Sequence, residues 1–425
     1  MKKLLSFCVA FSSAAALAAP EVTSLVVRQL WPFSSKLRVE YQITGATGAT
    51  DLDASVTVDG VTTPVNAEYV DSEIRSVDKP VSGAIIIDAE KQFAGCGSAI
   101  SATVSLTASD AAARKYMVID LSSGVDSTSY PVSYLADVPA GGWTDEYKKE
   151  KLVLRRVEAG SCGMGANNSQ TSLGTDNYKY CPARQVTLTH GYYIGVFEVT
   201  QRQWELVVGT HPSQAGIGDT YPLENMTWED VRGMNLGTNW PYSSEVDASS
   251  FIGKMRARTL LRVDLPTAAQ WENAAHAGCA SQSGLPNGTH ATAIDDPALL
   301  NYAHIGGGAA VPVGTLAANN WGLYDVLGNV AELCVDRFQT SQTMESQEYG
   351  NFRQDPVGPG NSYTRTNWGG IYRVTRGGGF ADTDYRRVSL YYNNYTFDIL
   401  SGGSKSRSTS IGLRLVVNFA VYPGE

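Results

Sequence analysis

The chain has 425 residues, a length that exceeds one ordinary domain and fits two. Hydrophobic residues make up 43% of it, which is enough for packed cores and excludes a wholly disordered chain. Its net charge of -9 argues against nucleic acid or an anionic membrane as a partner.

The N-terminal segment predicts a secretory signal peptide over residues 1–19. Lys2 and Lys3 form a positively charged start, an apolar stretch follows to Leu17, and small residues precede Pro20. No other apolar stretch of about 20 residues occurs, so we expect no membrane span. The sequence therefore predicts a secreted or periplasmic protein, in which disulfides can form.

Six cysteines occur, and Cys8 lies within the predicted signal peptide, which leaves five. An odd number leaves at least one thiol without a partner inside the chain. Cys162 and Cys181 flank a loop rich in Gly, Asn and Ser, and a disulfide between them would stabilise the fold by about 3 kcal/mol through the entropy of the unfolded loop. Two buried free thiols are the alternative.

Residues 20–137 predict β structure. Gly, Asp and Asn separate short stretches that alternate in polarity or are rich in β-branched residues, as strands do. We interpret this region as a small all-β sandwich of immunoglobulin type that serves as a spacer or docking module. The clearest predicted strands are residues 24–30, 36–43, 84–88 and 101–106.

A linker is predicted over residues 138–151, because Pro139 to Gly142 interrupts the β pattern and a charged segment follows. Residues 152–425 then show a mixed pattern. Thr200, Thr227 and Thr267 each precede a stretch with helical spacing and are suited to cap a helix N-terminus. The second domain is therefore predicted to combine helices with strands.

Seven short motifs in this second region resemble the formylglycine-generating enzyme family, also called the sulfatase-modifying-factor family. The resemblance runs from about Leu152 to Phe419 and implies a C-type-lectin-like fold for residues 152–425. The whole chain is then an α+β protein whose small β-sandwich lies outside the resemblance. The motifs are Met164-Gly165, Glu198-Val199-Thr200, Leu265-Pro266-Thr267 with Gln270-Trp271-Glu272, Asn320 to Asp325, Gly328-Asn329-Val330, Arg376-Gly377-Gly378 and Gly412-Leu413-Arg414.

One departure from the family concerns its chemistry. Family members hold copper with two cysteines that stand five residues apart just after Arg-Gly-Gly, and these positions are Asp382 and Arg387 here. Copper(I) prefers sulfur ligands, and neither a carboxylate nor a guanidinium replaces a thiolate. We therefore expect no copper and a binding protein; an active formylglycine-generating oxidase, or another metal-dependent oxidation, remains the alternative, so whether the chain is an enzyme is open.

A structural calcium site is implied by the resemblance at Asp325, Gly328, Val330 and Glu332. Two carboxylates and two backbone carbonyls on one turn are hard oxygen ligands of the kind that Ca²⁺ prefers. A turn with solvated acidic side chains is the alternative.

A polar binding surface for a polypeptide or a glycan is predicted where the active cleft of the family opens. Arginine can pair with an anionic group there, and Tyr and Asn are typical of adaptable binding loops. An ion-pair network on a surface loop is the alternative. The residues are Asp382, Asp384, Arg386, Arg387, Tyr391 and Asn393.

Overall fold

The computed structural model describes residues 19–30, 35–46, 50–70, 75–77, 82–94, 102–166, 183–233, 246–278, 283–338, 354–358, 371–399 and 407–419. Most of the predicted signal peptide, and Cys181 of the predicted disulfide, lie outside these residues.

The N-terminal region is all-β, as predicted, apart from short helical turns. Leu37, Val39, Tyr41 and Ile43 alternate along one strand and are buried, because every second side chain of a strand faces the same side. Two sheets enclose this core, and the immunoglobulin type stays a prediction. The elements are β1 (Glu21–Gln29), β2 (Lys36–Thr44), β3 (Thr50–Val58), β4 (Val61–Pro64), β5 (Arg75–Val77), β6 (Ser82–Asp88), helix α1 (Ala89–Gln92) and β7 (Ala102–Asp110).

The two N-terminal sheets are antiparallel. One has the order β1-β2-β6. In the other, β3 pairs with β7 along its whole length and with β4 and β5 on its opposite edge.

The rest of the chain mixes helices with short strands. Its elements are β8 (Tyr116–Asp120), β9 (Val132–Leu135), α2 (Glu146–Lys149), β10 (Lys151–Val157), β11 (Gly160–Met164), β12 (Arg184–Leu188), β13 (Tyr192–Gly195), α3 (Gln201–Val208), α4 (Trp228–Arg232), α5 (Phe251–Thr259), β14 (Val263–Asp264), α6 (Ala268–Ala275), α7 (Pro297–Leu300), β15 (Ala303–His304), β16 (Leu327–Gly328), β17 (Ala331–Arg337), β18 (Ile371–Arg376), β19 (Asn394–Ile399), β20 (Ile411–Gly412) and β21 (Val416–Asn418).

Three helices start where the sequence predicted. The hydroxyl of Thr200 accepts the backbone N–H of Gln203, whose side chain accepts the N–H of Thr200 in return. Thr227 with Asp230, and Thr267 with Gln270, form the same reciprocal pair at α4 and α6. Each pair satisfies two backbone donors that a helix start otherwise leaves open.

A six-stranded sheet with the order β14-β21-β13-β10-β8-β9 forms the centre of this second unit. β8 pairs with β10 from Lys151↔Asp120 to Arg155↔Tyr116, and β9 pairs with β8. Residues 116–135 therefore belong to this sheet, whereas the sequence assigned them to the β-sandwich of residues 20–137. The physical reason is that Met117 and Ile119 are fully buried in the core that the helices cover.

A charged interface joins the N-terminal β region to the second unit. Arg156 on β10 pairs with Asp51 on β3 at 2.7 Å, and both side chains are almost fully buried. Arg262 donates to the carbonyls of Ala67 and Val70, at 2.8 and 3.0 Å. Two more ion pairs cross the interface, Arg114 with Asp53 and Arg256 with Glu68. The carboxylates come from the N-terminal region, and the guanidinium groups come from the second unit or, for Arg114, from the turn that leads into β8, so the two surfaces are complementary in charge.

A search of the described helices for a membrane span found none with the required length and apolar character.

Candidate functional site

A buried ion pair lies at the predicted calcium segment. Arg414 follows β20, and its Nη2 donates to Oε1 of Glu332 at 2.6 Å, while its Nε donates to both carboxylate oxygens. Nε1 of Trp271 on α6 donates to Oε2 of Glu332 at 2.6 Å. Glu332 and Arg414 are each 1% exposed. Most of the acceptor capacity of Glu332 is therefore used within the protein.

Two further carboxylates complete an acidic cluster with Glu332. Asp325 accepts the backbone N–H of Gly314 at 2.6 Å and is 3% exposed. Glu198, which precedes α3, accepts the backbone N–H of Val330 at 3.0 Å and is 1% exposed.

The acidic cluster holds more negative charge than its surroundings offset. Burial raises the pKa of Asp325 to about 6, against the opposing effects of Gly314 and Arg414. Burial also raises the pKa of Glu198, and the charges of Asp325 and Glu332 raise it further. A buried carboxylate near others binds protons more tightly, because the charged form loses water and meets like charge.

The predicted calcium ligands are oxygen donors of the kind that Ca²⁺ prefers, but both carboxylate oxygens of Glu332 already accept hydrogen bonds from Arg414 or Trp271. Asp325 keeps acceptor capacity beyond its one hydrogen bond, and the adjacent turn carries the backbone carbonyls of Gly328 and Val330. In the described part of the chain, however, no three His, Cys, Asp or Glu side chains converge on one point that could hold a metal. Backbone carbonyls would therefore have to supply part of the coordination.

Asn329 connects the predicted calcium segment to the neighbouring loops. Its side-chain amide donates to Oε2 of Glu198 at 2.7 Å, and its Oδ1 accepts the N–H of Val311 at 3.0 Å. Its backbone N–H donates to the carbonyl of His304 at 2.9 Å, and its carbonyl accepts the N–H of Phe380 at 2.7 Å. One buried residue thus connects four other segments of the chain, two through its side chain and two through its backbone.

The predicted ligand loop forms a short helical turn over residues 385–387. Oδ2 of Asp382 accepts the backbone N–H of Gly379 at 2.9 Å. Arg386 Nη2 pairs with Asp384 Oδ2 at 2.7 Å, and these side chains are 44% and 30% exposed. Arg387 is half-buried in the same turn. The Asp384–Arg386 pair corresponds to the surface ion pair that the sequence left open as an alternative, and it remains accessible to a ligand.

Two predicted ligand residues are buried instead. Tyr391 is 7% exposed and Asn393 is 2% exposed. Oδ1 of Asn393 accepts a hydrogen bond from Arg376, which also pairs with Glu272 on α6. The structure therefore separates these two residues from the exposed turn. Asn393 faces inward because the buried Arg376 needs its amide oxygen as an acceptor, and Tyr391 packs in a small apolar cluster with Ala166 and Tyr392.

The two cysteines in the described residues are buried. Cys162 is 5% exposed and Cys334 is 0% exposed, and both belong to one hydrophobic core. Burial raises the pKa of Cys334. Pairing of Cys162 with Cys181 stays a prediction, since Cys181 is outside the described residues.

Sequence reasoning missed Glu198 and Asn329 as parts of the site. Both stand inside motifs that carried the resemblance, Glu198-Val199-Thr200 and Gly328-Asn329-Val330. Sequence spacing does not link the two residues, because 131 positions separate them along the chain. The signal available in the sequence was that each residue belongs to one of these motifs.

A family model described as "Sulfatase-modifying factor enzyme 1-like domain" matches residues 144–419. This range covers more than half of the chain. The chain belongs to the sulfatase-modifying-factor family. Two formylglycine-generating enzymes are similar to this family member: that of Mus musculus is 24% identical over 313 residues, which cover 65% of this chain and 77% of the mouse protein. That of Thermomonospora curvata is 34% identical over 130 residues, which cover 27% and 38% of the two chains.

The chain is also similar to "Chaperone protein LppX" of Paenibacillus barcinonensis, with 30% identity over 192 residues, 38% of this chain and 68% of the other. Among solved structures, PvdO from Pseudomonas aeruginosa is 18% identical, covers 63% of this chain and 94% of its own, and has a TM-score of 0.45.

Proposed function

We propose that this sulfatase-modifying-factor family member is a secreted or periplasmic binding protein, not a copper-dependent oxidase. The proposed ligand, a polypeptide or a glycan, binds at the exposed turn of Asp382, Asp384, Arg386 and Arg387. A calcium ion stabilises the scaffold beneath this turn.

The observation that carries the proposal is the set of side chains at the two copper positions. Asp382 caps a turn through Gly379, and Arg387 supplies a cation where the family has a second thiolate. Among the described residues, the two cysteines, Cys162 and Cys334, are buried in the core. The side chains at the two copper positions are therefore not the soft ligands that copper(I) prefers, whereas Asp384 and Arg386 can pair with polar groups of a ligand.

The calcium ion would be held by Asp325, Glu332 and the carbonyls of Gly328 and Val330. Its charge would offset the three buried carboxylates, which Arg414 offsets only in part. Asn329 would carry this stabilisation to the loops at His304, Val311 and Phe380 through its hydrogen bonds. The proposed role of calcium is thus structural.

A polypeptide is favoured over a glycan by one comparison. The relative from Paenibacillus barcinonensis is named as a chaperone, and chaperones act on polypeptides. A polypeptide is also the substrate under the alternative function, in which an oxidase acts on a cysteine of a sulfatase.

The distinction between binding and oxidation can be tested directly. The purified chain is incubated with a cysteine-containing sulfatase peptide, copper and oxygen, and conversion of the thiol to the aldehyde is measured by mass spectrometry. We expect no more aldehyde than in the peptide incubated alone. The double variant Asp382→Cys with Arg387→Cys serves as a matched protein in which the two thiols are present. Repeated turnover by the unmodified chain would overturn the proposal.

A further inference from the structure

The side chain of Arg155 is a half-buried cation that forms no ion pair and no hydrogen bond with the described residues. It lies on β10, opposite Tyr116 of β8 in the six-stranded sheet. Its Nε is buried and has no protein acceptor there. Arg156, the next residue, is paired in the interface with the N-terminal region, but adjacent side chains of a strand face opposite sides of the sheet. Arg155 therefore faces a different surface.

Two aromatic rings lie beside this guanidinium. Its Cζ is 5.7 Å from the centroid of the Tyr116 ring and 5.8 Å from that of the Trp321 ring. Both distances allow cation–π attraction, which positions the guanidinium without using its N–H donors. Trp143 packs edge-to-face against Tyr116, with ring centroids 5.0 Å apart, and extends the aromatic surface. Trp143 and Trp321 are half-buried, so part of each side chain is open to solvent.

The acidic side chain in this neighbourhood, Asp137, is engaged by other groups. Its Oδ1 accepts Nζ of Lys115 at 2.9 Å and the backbone N–H of Val138 at 2.9 Å. The hydrogen bond from Lys115 lowers the pKa of Asp137 most, and the charge of Arg155 has a smaller effect. Lys115 and Asp137 offset each other, which leaves the positive charge of Arg155 uncompensated among the described residues.

These features define the chemistry of a ligand for Arg155. A buried N–H without an acceptor is costly, and an oxyanion supplies both the acceptor and the opposite charge. The N–H donors of a guanidinium form a planar fork that matches a carboxylate, which then accepts two parallel hydrogen bonds. Aromatic side chains around a few polar groups are typical of sites for small organic ligands. A sugar ring has apolar C–H faces that pack on such rings, and a uronic acid adds a carboxylate to that ring.

We propose that Arg155 is the anion-binding residue of a second site whose ligand is an acidic sugar. The carboxylate of the sugar pairs with the guanidinium, and the sugar ring packs against Trp321 and Trp143. The site consists of residues other than those of the exposed turn at Asp382, so it goes beyond the proposed function and does not depend on it. A neutral sugar would leave the charge of Arg155 uncompensated, and an acidic peptide would carry its carboxylates on flexible side chains without a sugar ring.

The test compares oligogalacturonate with the same oligosaccharide after reduction of its carboxyl groups to alcohols. Calorimetry measures the binding of each to the full chain. We expect the acidic form to bind at least about tenfold more tightly, the effect of one charge-assisted pair. Because the net charge of the chain is -9, such a preference cannot come from its overall charge. Arg155→Met, which keeps an apolar stem, should remove the preference, and Arg155→Lys should keep part of it. Arg28→Met is the matched control, since that side chain is 66% exposed in the N-terminal β region.

The outcomes decide the inference even if Arg155→Met does not fold, because the two sugars are compared on the unmodified chain. Equal affinities, no binding of the acidic form, or an acidic preference that survives in Arg155→Met overturns it. Succinate or polyglutamate that binds as tightly as oligogalacturonate shows that a carboxylate suffices and overturns the assignment to a sugar. Arg386→Ala should leave the binding of oligogalacturonate unchanged. If that variant abolishes it, the sugar binds at the exposed turn, which supports the proposed function and overturns this inference.

Discussion

Oδ2 of Asp336 accepts a hydrogen bond of 2.7 Å from the backbone N–H of Ala268, the first residue of α6. Its other oxygen accepts the N–H of Gly358 at 2.8 Å. These donors and the positive helix end favour the charged carboxylate. Burial has the larger effect, however, and raises the pKa of Asp336 to about 6.

The raised pKa predicts a pH dependence of stability. The carboxyl of Asp336 binds its proton more tightly in the folded chain than in the unfolded chain. The contribution of Asp336 to the free energy of unfolding therefore falls as pH rises through the folded pKa. Asp336→Asn should remove about 1 kcal/mol of the change between pH 5 and pH 7 in urea unfolding. Asp384→Asn is the control, since its pKa is lowered by Arg386 and lies below this range. Identical pH profiles for the wild type and Asp336→Asn would contradict the assignment.

Calcium removal tests the proposed structural ion. Binding to the folded state alone contributes about 2.7 kcal/mol at a hundredfold excess over Kd. A chelator should therefore lower the Tm of the wild type by about 2 to 4 °C. Asp325→Asn and Glu332→Gln should lose most of this response, and Asp382→Asn should keep it. Glu332→Gln also weakens the pair with Arg414, so Asp325→Asn is the cleaner variant. If the purified protein contains no calcium and its Tm does not change with the chelator, hydrogen bonds alone hold the turn.

Removing the amide of Asn329 should destabilise the second unit strongly. Asn329→Ala leaves Glu198 with one donor fewer and the N–H of Val311 without its acceptor. The backbone of Asn329 also has φ of +52°, which alanine tolerates less well than asparagine. We expect a loss of about 2 to 4 kcal/mol in urea unfolding. Asn287→Ala, in an exposed turn, should cost under about 1 kcal/mol. Equal losses in the two variants would count against the central position of Asn329.

The buried pair between Asp51 and Arg156 should stabilise the contact of the N-terminal region. Asp51→Ala removes the buried carboxylate that pairs with the guanidinium of Arg156, and we expect a loss of about 3 to 5 kcal/mol. Asp51→Ala combined with Arg156→Met should recover part of this loss. The exposed pair of Arg38 and Glu40 supplies the control, because Glu40→Ala should change the stability by under about 1 kcal/mol. Equilibrium unfolding of the wild type and the three variants measures these changes, and a mild effect of Asp51→Ala would show that the interface is hydrated.

The sequence predicted local features better than contacts between distant segments. The N-terminal strands, and the helix starts at Thr200, Thr227 and Thr267, depend on neighbours within a few residues, and the structure confirms them. The placement of β8 could not be predicted in this way, because its pairing with β10 crosses a linker-like segment. Tyr391 and Asn393 share the composition of a binding loop, and their inward orientation depends on distant contacts, with Arg376 for Asn393 and with Ala166 for Tyr391.

The position of β8 determines where a fragment that contains the second unit must begin. The family model begins at residue 144, yet the hydrogen-bonding edge of Lys151 to Arg155 is covered by residues 116–120. A chain cut at residue 144 would present that edge bare and would lose Met117 and Ile119 from its interior. Bare edges recruit strands from other molecules and lead to aggregation. A recombinant fragment that avoids aggregation must therefore include the β8–β9 hairpin together with residues 144–419.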